Sequence, residues 1–136
     1  MGVDANRKVR AGLLIREALQ VLDEAGEPLP LAELLARVQP RVAFTDYELA
    51  PAGRGSEARW RVHLSWFGVV LKAAGWVVGS GQGWAITDVG RDILAQHGDA
   101  PGGLAIMAHK VYVEKHPTRT KAGHYAPILD AALDLV

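Results

Sequence analysis

Apolar residues recur along the chain with a period that changes from segment to segment, and the changes mark the elements. In residues 7–25, Val9, Leu13, Leu14, Ala18, Val21 and Leu22 return at three- and four-residue steps, which puts them on one face of a helix. Gly26 stands where such a helix stops, and Glu27-Pro28-Leu29-Pro30 must run extended, because each proline disfavours helix in the residue before it. Leu31, Leu34, Leu35 and Val38 give a second, shorter helix over about 31–39, ended at Pro40. Residues 40–56 read as a loop with one helical turn at Asp46–Leu49. A third helix follows over 57–74, capped by Ser56 and closed by Gly75.

Trp76-Val77-Val78 and Trp84-Ala85-Ile86 flank Gly79-Ser80-Gly81-Gln82-Gly83, and two β-prone runs around a glycine-rich turn predict a hairpin. The extended run at 28–30 can add a third strand to it. Thr87 caps a fourth helix over 88–97, with Val89, Ile93 and Leu94 inward and Gly98 at its end. Beyond a turn at 99–103 the chain predicts a helix over 104–115, a polar loop over 118–123 and a last helix from Pro127. The order predicts an α+β, mainly α fold: a winged helix-turn-helix of three helices, a β-hairpin wing and a fourth helix, with a C-terminal helical extension. The expected division is a winged-helix domain at 7–97 and an extension at 98–136.

The third helix carries the chemistry. On a wheel at about 100° per residue, Glu57, Arg61, Ser65, Gly68 and Lys72 share one narrow face, and apolar side chains cover the rest. A helix apolar over most of its circumference is packed by several neighbours. The remaining stripe suits a DNA groove. Arg61 can pair bidentately with a guanine edge, Glu57 can accept from a cytosine amino group or cap the helix, and Ser65 is a small hydroxyl donor. Gly68 leaves room for a close approach. Lys72, Arg54 and Arg59 are placed for phosphates, and Ser56 opens a helix N-terminus that favours them. In the hairpin turn, Ser80 and Gln82 can touch sugar or phosphate. Trp66, Trp76 and Trp84 are expected in the core. Trp60 is open to two readings, core or an exposed ring that packs on a thymine methyl or a methylated base.

Composition narrows the class. The 136 residues suit one domain with an appended arm, and 49% hydrophobic with 22% charged residues is a globular balance. No apolar run is long enough to span a membrane, and the N-terminus shows neither a secretory signal nor a myristoylation pattern. The absence of cysteine excludes disulfides and thiolate chemistry and fits a reducing, cytoplasmic setting. Net charge is zero, yet residues 54–97 hold five basic side chains against three acidic ones, so the basic excess falls on the third helix and its approach. Histidines 63, 97, 109, 116 and 124 lack ligand spacing and cysteine neighbours, which argues against a metal site; no phosphate-binding loop or nucleophile stands out, and neither cofactor nor catalysis is expected. Lys110, Lys115, Arg119 and Lys121 form a second basic region. Leu104, Met107 and Val111, with Ile128, Leu129, Leu133 and Val136, can pair two protomers.

The run Arg61-Val62-His63-Leu64-Ser65-Trp66-Phe67-Gly68-Val69-Val70-Leu71-Lys72-Ala73-Ala74-Gly75, with Trp84-Ala85-Ile86-Thr87 and Asp88-Val89-Gly90-Arg91, resembles the N-terminal domain of Mrr-type restriction endonucleases over about 10–97. The resemblance implies a winged helix that binds double-stranded DNA for systems acting on modified, foreign or methylated sequences. The sequence departs from the full enzymes in showing no nuclease domain and no Asp…Glu-x-Lys metal site. Either the domain is cut from a longer chain, a view the apolar ending Ile-Leu-Asp-Ala-Ala-Leu-Asp-Leu-Val favours, or it recognises DNA and leaves cutting to a partner. A protein-interaction adaptor and a stand-alone transcriptional regulator are the rival expectations.

Overall fold

The computed structural model describes residues 3–115, with side chains from Lys8 onward. The expected helix at 127–135, with Arg119, Lys121 and the apolar residues from Ile128 to Val136, lies outside the described residues. Helix α1 spans Val3–Ala25 and is the central post. Its buried residues, Ala11, Leu14, Ile15, Ala18, Leu19 and Leu22, follow the predicted period. Val9 departs from it and is exposed, with Gly102 as a neighbour.

Leu29 runs extended and exchanges two backbone hydrogen bonds with Trp84 (2.9 and 2.8 Å), so the predicted third strand is a single bridge. Helix α2, Leu31–Val38, buries Leu34, Leu35 and Val38 and tightens into a 3-10 turn at Gln39–Arg41. From that turn Arg41 reaches back to α1, donating to Glu17 (2.9 Å), Glu24 (2.8 Å) and Gln20 (3.0 Å). Helix α3 is the single turn Asp46–Leu49, held by a reciprocal capping box between Thr45 and Glu48. The buried Glu48 carboxylate also accepts from Arg10 Nε (2.9 Å), which ties this turn to α1.

Helix α4 is Arg59–Ala74. It begins two residues later than the sequence predicts, because residues 50–58 pair with themselves. Pro51 and Ala58 form an antiparallel bridge, Ala52 N–H donates to Glu57 C=O (3.1 Å), and Arg59 N–H donates to Ala50 C=O (2.8 Å). Ser56 is therefore an exposed loop residue and not the cap; Ala58 stands at the cap position with no side-chain bond. At the other end Gly75 turns left-handed (φ 82°), and Trp76 N–H closes on Leu71 C=O (3.0 Å).

Strands β1 (Val77–Ser80) and β2 (Gly83–Ile86) pair antiparallel, Val77 opposite Ile86 and Ser80 opposite Gly83, leaving the two-residue turn Gly81-Gln82. Inward-facing Val77, Trp84 and Ile86 are buried, while Val78 is exposed. Helix α5, Asp88–His97, is capped as expected by Thr87, whose hydroxyl accepts from Gly90 N–H (3.1 Å). Its first turn sits so close to Trp76 C=O that a side chain at Gly90 would overlap it, and seating the helix on Gly90 turns Val89 outward. Val89 is thus exposed where the sequence predicts it inward.

Helix α6, Leu104–Lys115, packs against both α1 and α4. Leu104 (0% exposed), Ala105, Ala108 and Tyr112 belong to the same core as the α1 and α4 residues, and Met107 and Val111 pack against it. Leu104 consequently has no surface to offer a second protomer. The 3-10 turn Pro101–Gly103 that leads into α6 lies directly on α1 at Gly12, where any side chain would overlap Pro101 C=O. Arg16 fastens the same crossing by donating to Gly98 C=O (2.9 Å). The result is a mainly helical α+β fold with a two-stranded antiparallel sheet.

Candidate nucleic-acid interface

Three neighbours determine which side of α4 is free. Into the core it shares with α1 it buries Leu64, Phe67 and Leu71. Beside the hairpin, Gly68 lies against the Trp84 ring, which fills the space a side chain would take. The expectation that Gly68 admits a DNA backbone is thereby corrected: indole already occupies that gap. Along the far edge runs α6, whose Lys115 donates to Ala73 C=O (2.8 Å).

What is left is an arc holding Arg61, Ser65 and Lys72 on the hairpin side, and Val62, Val69 and Trp66 next to them. Trp66 is 38% exposed and Val69 45%. The expectation of a buried Trp66 is therefore overturned. Trp60 shows the reverse: at 1% exposure it is stacked on Phe44 (centroids 4.4 Å apart, 18° between planes), so its ring cannot reach a groove. The exposed aromatic residue on α4 is Trp66, which the wheel places about 100° round from Ser65, beyond Val69 and Val62 at the edge of the arc nearer α6.

The cations differ in how far they are engaged. Arg59 donates to Tyr47 C=O (2.6 Å) and Pro51 C=O (3.3 Å), and its guanidinium lies 3.9 Å from the Tyr47 ring centroid. It pins the 47–51 loop to the start of α4, a bracing role in place of the phosphate contact the sequence predicts. Arg61 Nε donates to Glu57 (3.2 Å), with the guanidinium 5.4 Å from the Trp60 ring. Lys72 extends along Gly79, its ammonium 4.9 Å from the Trp84 ring. Arg54, at the exposed tip of the self-paired loop, has no hydrogen bond or ion pair among the described residues.

The hydroxyls are partly committed. Ser65 Oγ donates back to Arg61 C=O (2.9 Å) and keeps its acceptor capacity. Ser80 Oγ accepts from Gln82 N–H (3.1 Å) and shapes the hairpin turn, leaving the Gln82 side chain exposed. An open groove of about 640 Å³ runs between Lys72, the hairpin and the start of α2 at Pro30 and Leu31. Glu57, paired with Arg61, stands at the head of the stripe that Arg61, Ser65 and Lys72 form on α4; Arg54 and Ser56 are exposed in the loop that leads into it, and Ser80 and Gln82 lie in the hairpin. Among the described residues no group of three or more His, Asp or Glu side chains is arranged to hold a metal ion. No described helix is long and apolar enough to cross a membrane.

These features define a small α+β domain that presents one mixed basic and apolar helix face beside a short hairpin. The Mrr N-terminal domain family matches residues 13–96, from the buried part of α1 to the end of α5, and the chain belongs to that family. The family places it among domains of restriction systems. Neither a curated protein nor a solved structure matches the chain.

Proposed function

We propose that the domain binds double-stranded DNA as a winged helix-turn-helix, with α4 in the major groove and the β1–β2 hairpin as the wing. In this reading it is the recognition domain of a restriction-type system that discriminates modified from unmodified duplexes. The observation that carries the reading is the free arc of α4, where Arg61, Ser65 and Lys72 adjoin the exposed Val69 and Trp66 closes the far edge. Cationic and hydroxyl groups can meet phosphates and base edges, and exposed apolar groups in the same strip can pack on a base methyl. Arg54 and Lys72, near the two ends of the helix, suit contacts to the flanking backbone. The described chain would supply recognition, with cleavage by a nuclease domain in the same or another chain.

A gel-shift panel of one duplex carrying methyladenine, methylcytosine or no mark tests this. The expected result is binding at low salt, with a difference between marked and unmarked forms that shrinks in Trp66→Ala. No shift with any duplex would remove the reading. Exposed Trp66 and Val69 also favour a second reading, a protein-docking adaptor, which a stable hetero-complex without DNA affinity would select.

A further inference from the structure

Helix α4 contains no acidic residue, and the one carboxylate at its leading end, Glu57, is engaged with Arg61. The pair is held from both sides. The Glu57 backbone is fixed through the 3.1 Å bond from Ala52 N–H and the adjoining Pro51–Ala58 bridge. Arg61 lies towards Trp60, whose ring is immobilised on Phe44. A carboxylate and a guanidinium are therefore presented together at the start of the helix.

Such a pair responds differently to the two parts of a duplex. Against the phosphate backbone Arg61 gains a partner, but Glu57 is left facing like charge well within a Debye length. Against base edges both groups can be satisfied: a guanidinium donates to guanine O6 and N7, and a carboxylate accepts from the cytosine N4 amino group. Breaking the free-state pair costs little, since an exposed i,i+4 pair is largely offset by solvent screening and side-chain entropy. The discrimination comes from whether the carboxylate finds a donor.

We propose that Glu57 and Arg61 form one specificity-determining unit that reads cytosine and guanine in a G·C-containing step, Glu57 accepting from cytosine and Arg61 donating to guanine. Glu57 also holds back non-specific binding. The assignment rests on the DNA-binding reading above.

The test uses the full chain and two duplexes of equal length, one alternating dG–dC and one alternating dA–dT, with binding followed by fluorescence anisotropy at low salt. The wild-type chain should prefer the dG–dC duplex by about fivefold or more, the range of one good base contact. Glu57→Gln should bind the dA–dT duplex more tightly than wild type and lose most of the preference. Arg61→Ala should lose dG–dC affinity most. Glu57 is exposed, and an unchanged melting temperature would certify that Glu57→Gln is folded. Equal discrimination by wild type and Glu57→Gln, weaker binding of both duplexes by Glu57→Gln, or a wild-type preference for dA–dT overturns the assignment while leaving DNA binding intact. Binding of neither duplex by wild type overturns the DNA reading and the assignment with it.

Discussion

Gly68 is read most naturally, on a wheel, as an opening for a ligand, yet the Trp84 ring lies against it. Whether a helical glycine faces solvent or an aromatic ring depends on a partner sixteen positions away, and periodicity is blind to that distance. The same limitation misplaces Trp66, expected in the core, and leaves Trp60 open between core and surface. Trp60 and Trp66 are both apolar additions to a helix already apolar on most sides, so the pattern does not rank them. Phe44, arriving from the loop before α3, selects Trp60 for the core. Replacing Gly68 by Ala should push the indole aside and destabilise the fold by about 1–3 kcal/mol, the usual cost of overpacking, despite the better helix propensity of alanine. A melting temperature lowered by several degrees would bear this out, and an unchanged or higher one would show that Trp84 yields freely.

Elements were more legible than faces. The Thr87 cap, the Gly75 stop, the prolines around Leu29 and the glycine-rich turn each carry a local signal, and α2, α3, the hairpin and α5 lie where those signals place them. The start of α4 was less legible because its leading loop forms a backbone bridge, Pro51 to Ala58, that no side chain advertises. Helix α6 lies where the sequence predicts it, but its packing on α1 and α4 was not legible there. Its apolar residues look equally suited to a partner protomer, and it is the burial of Leu104, Ala105, Ala108 and Tyr112 in the core with α1 and α4 that shows that they complete this chain. Removing residues 98–136 should expose the α1 and α4 surfaces that Leu104 and Tyr112 cover. Each large side chain contributes about 1.5–3 kcal/mol on burial, which is substantial beside a total of about 5–15 kcal/mol. Urea unfolding of the 1–97 chain should therefore lose its cooperative transition. A sharp transition at the midpoint of the full chain would show that α6 is dispensable.

At the scale of the whole molecule, a net charge of zero conceals an uneven disposition. Arg91 is engaged by Asp23 (3.1 Å) and Asp88 (2.8 Å), Arg41 by Glu17 and Glu24, and Arg10 by Glu48. Arg54 and Lys72 have no acidic partner among the described residues, and both flank the exposed face of α4. A duplex laid along that face would gain contacts from both, which the bulk charge does not suggest. The salt dependence of duplex affinity for the wild type, Arg54→Ala and Lys72→Ala measures this directly. Wild-type affinity should fall steeply with salt, and the log–log slope should drop by about 0.9 in each variant, the share of one phosphate contact. Absence of duplex binding at low salt, or slopes that neither substitution changes, would contradict it.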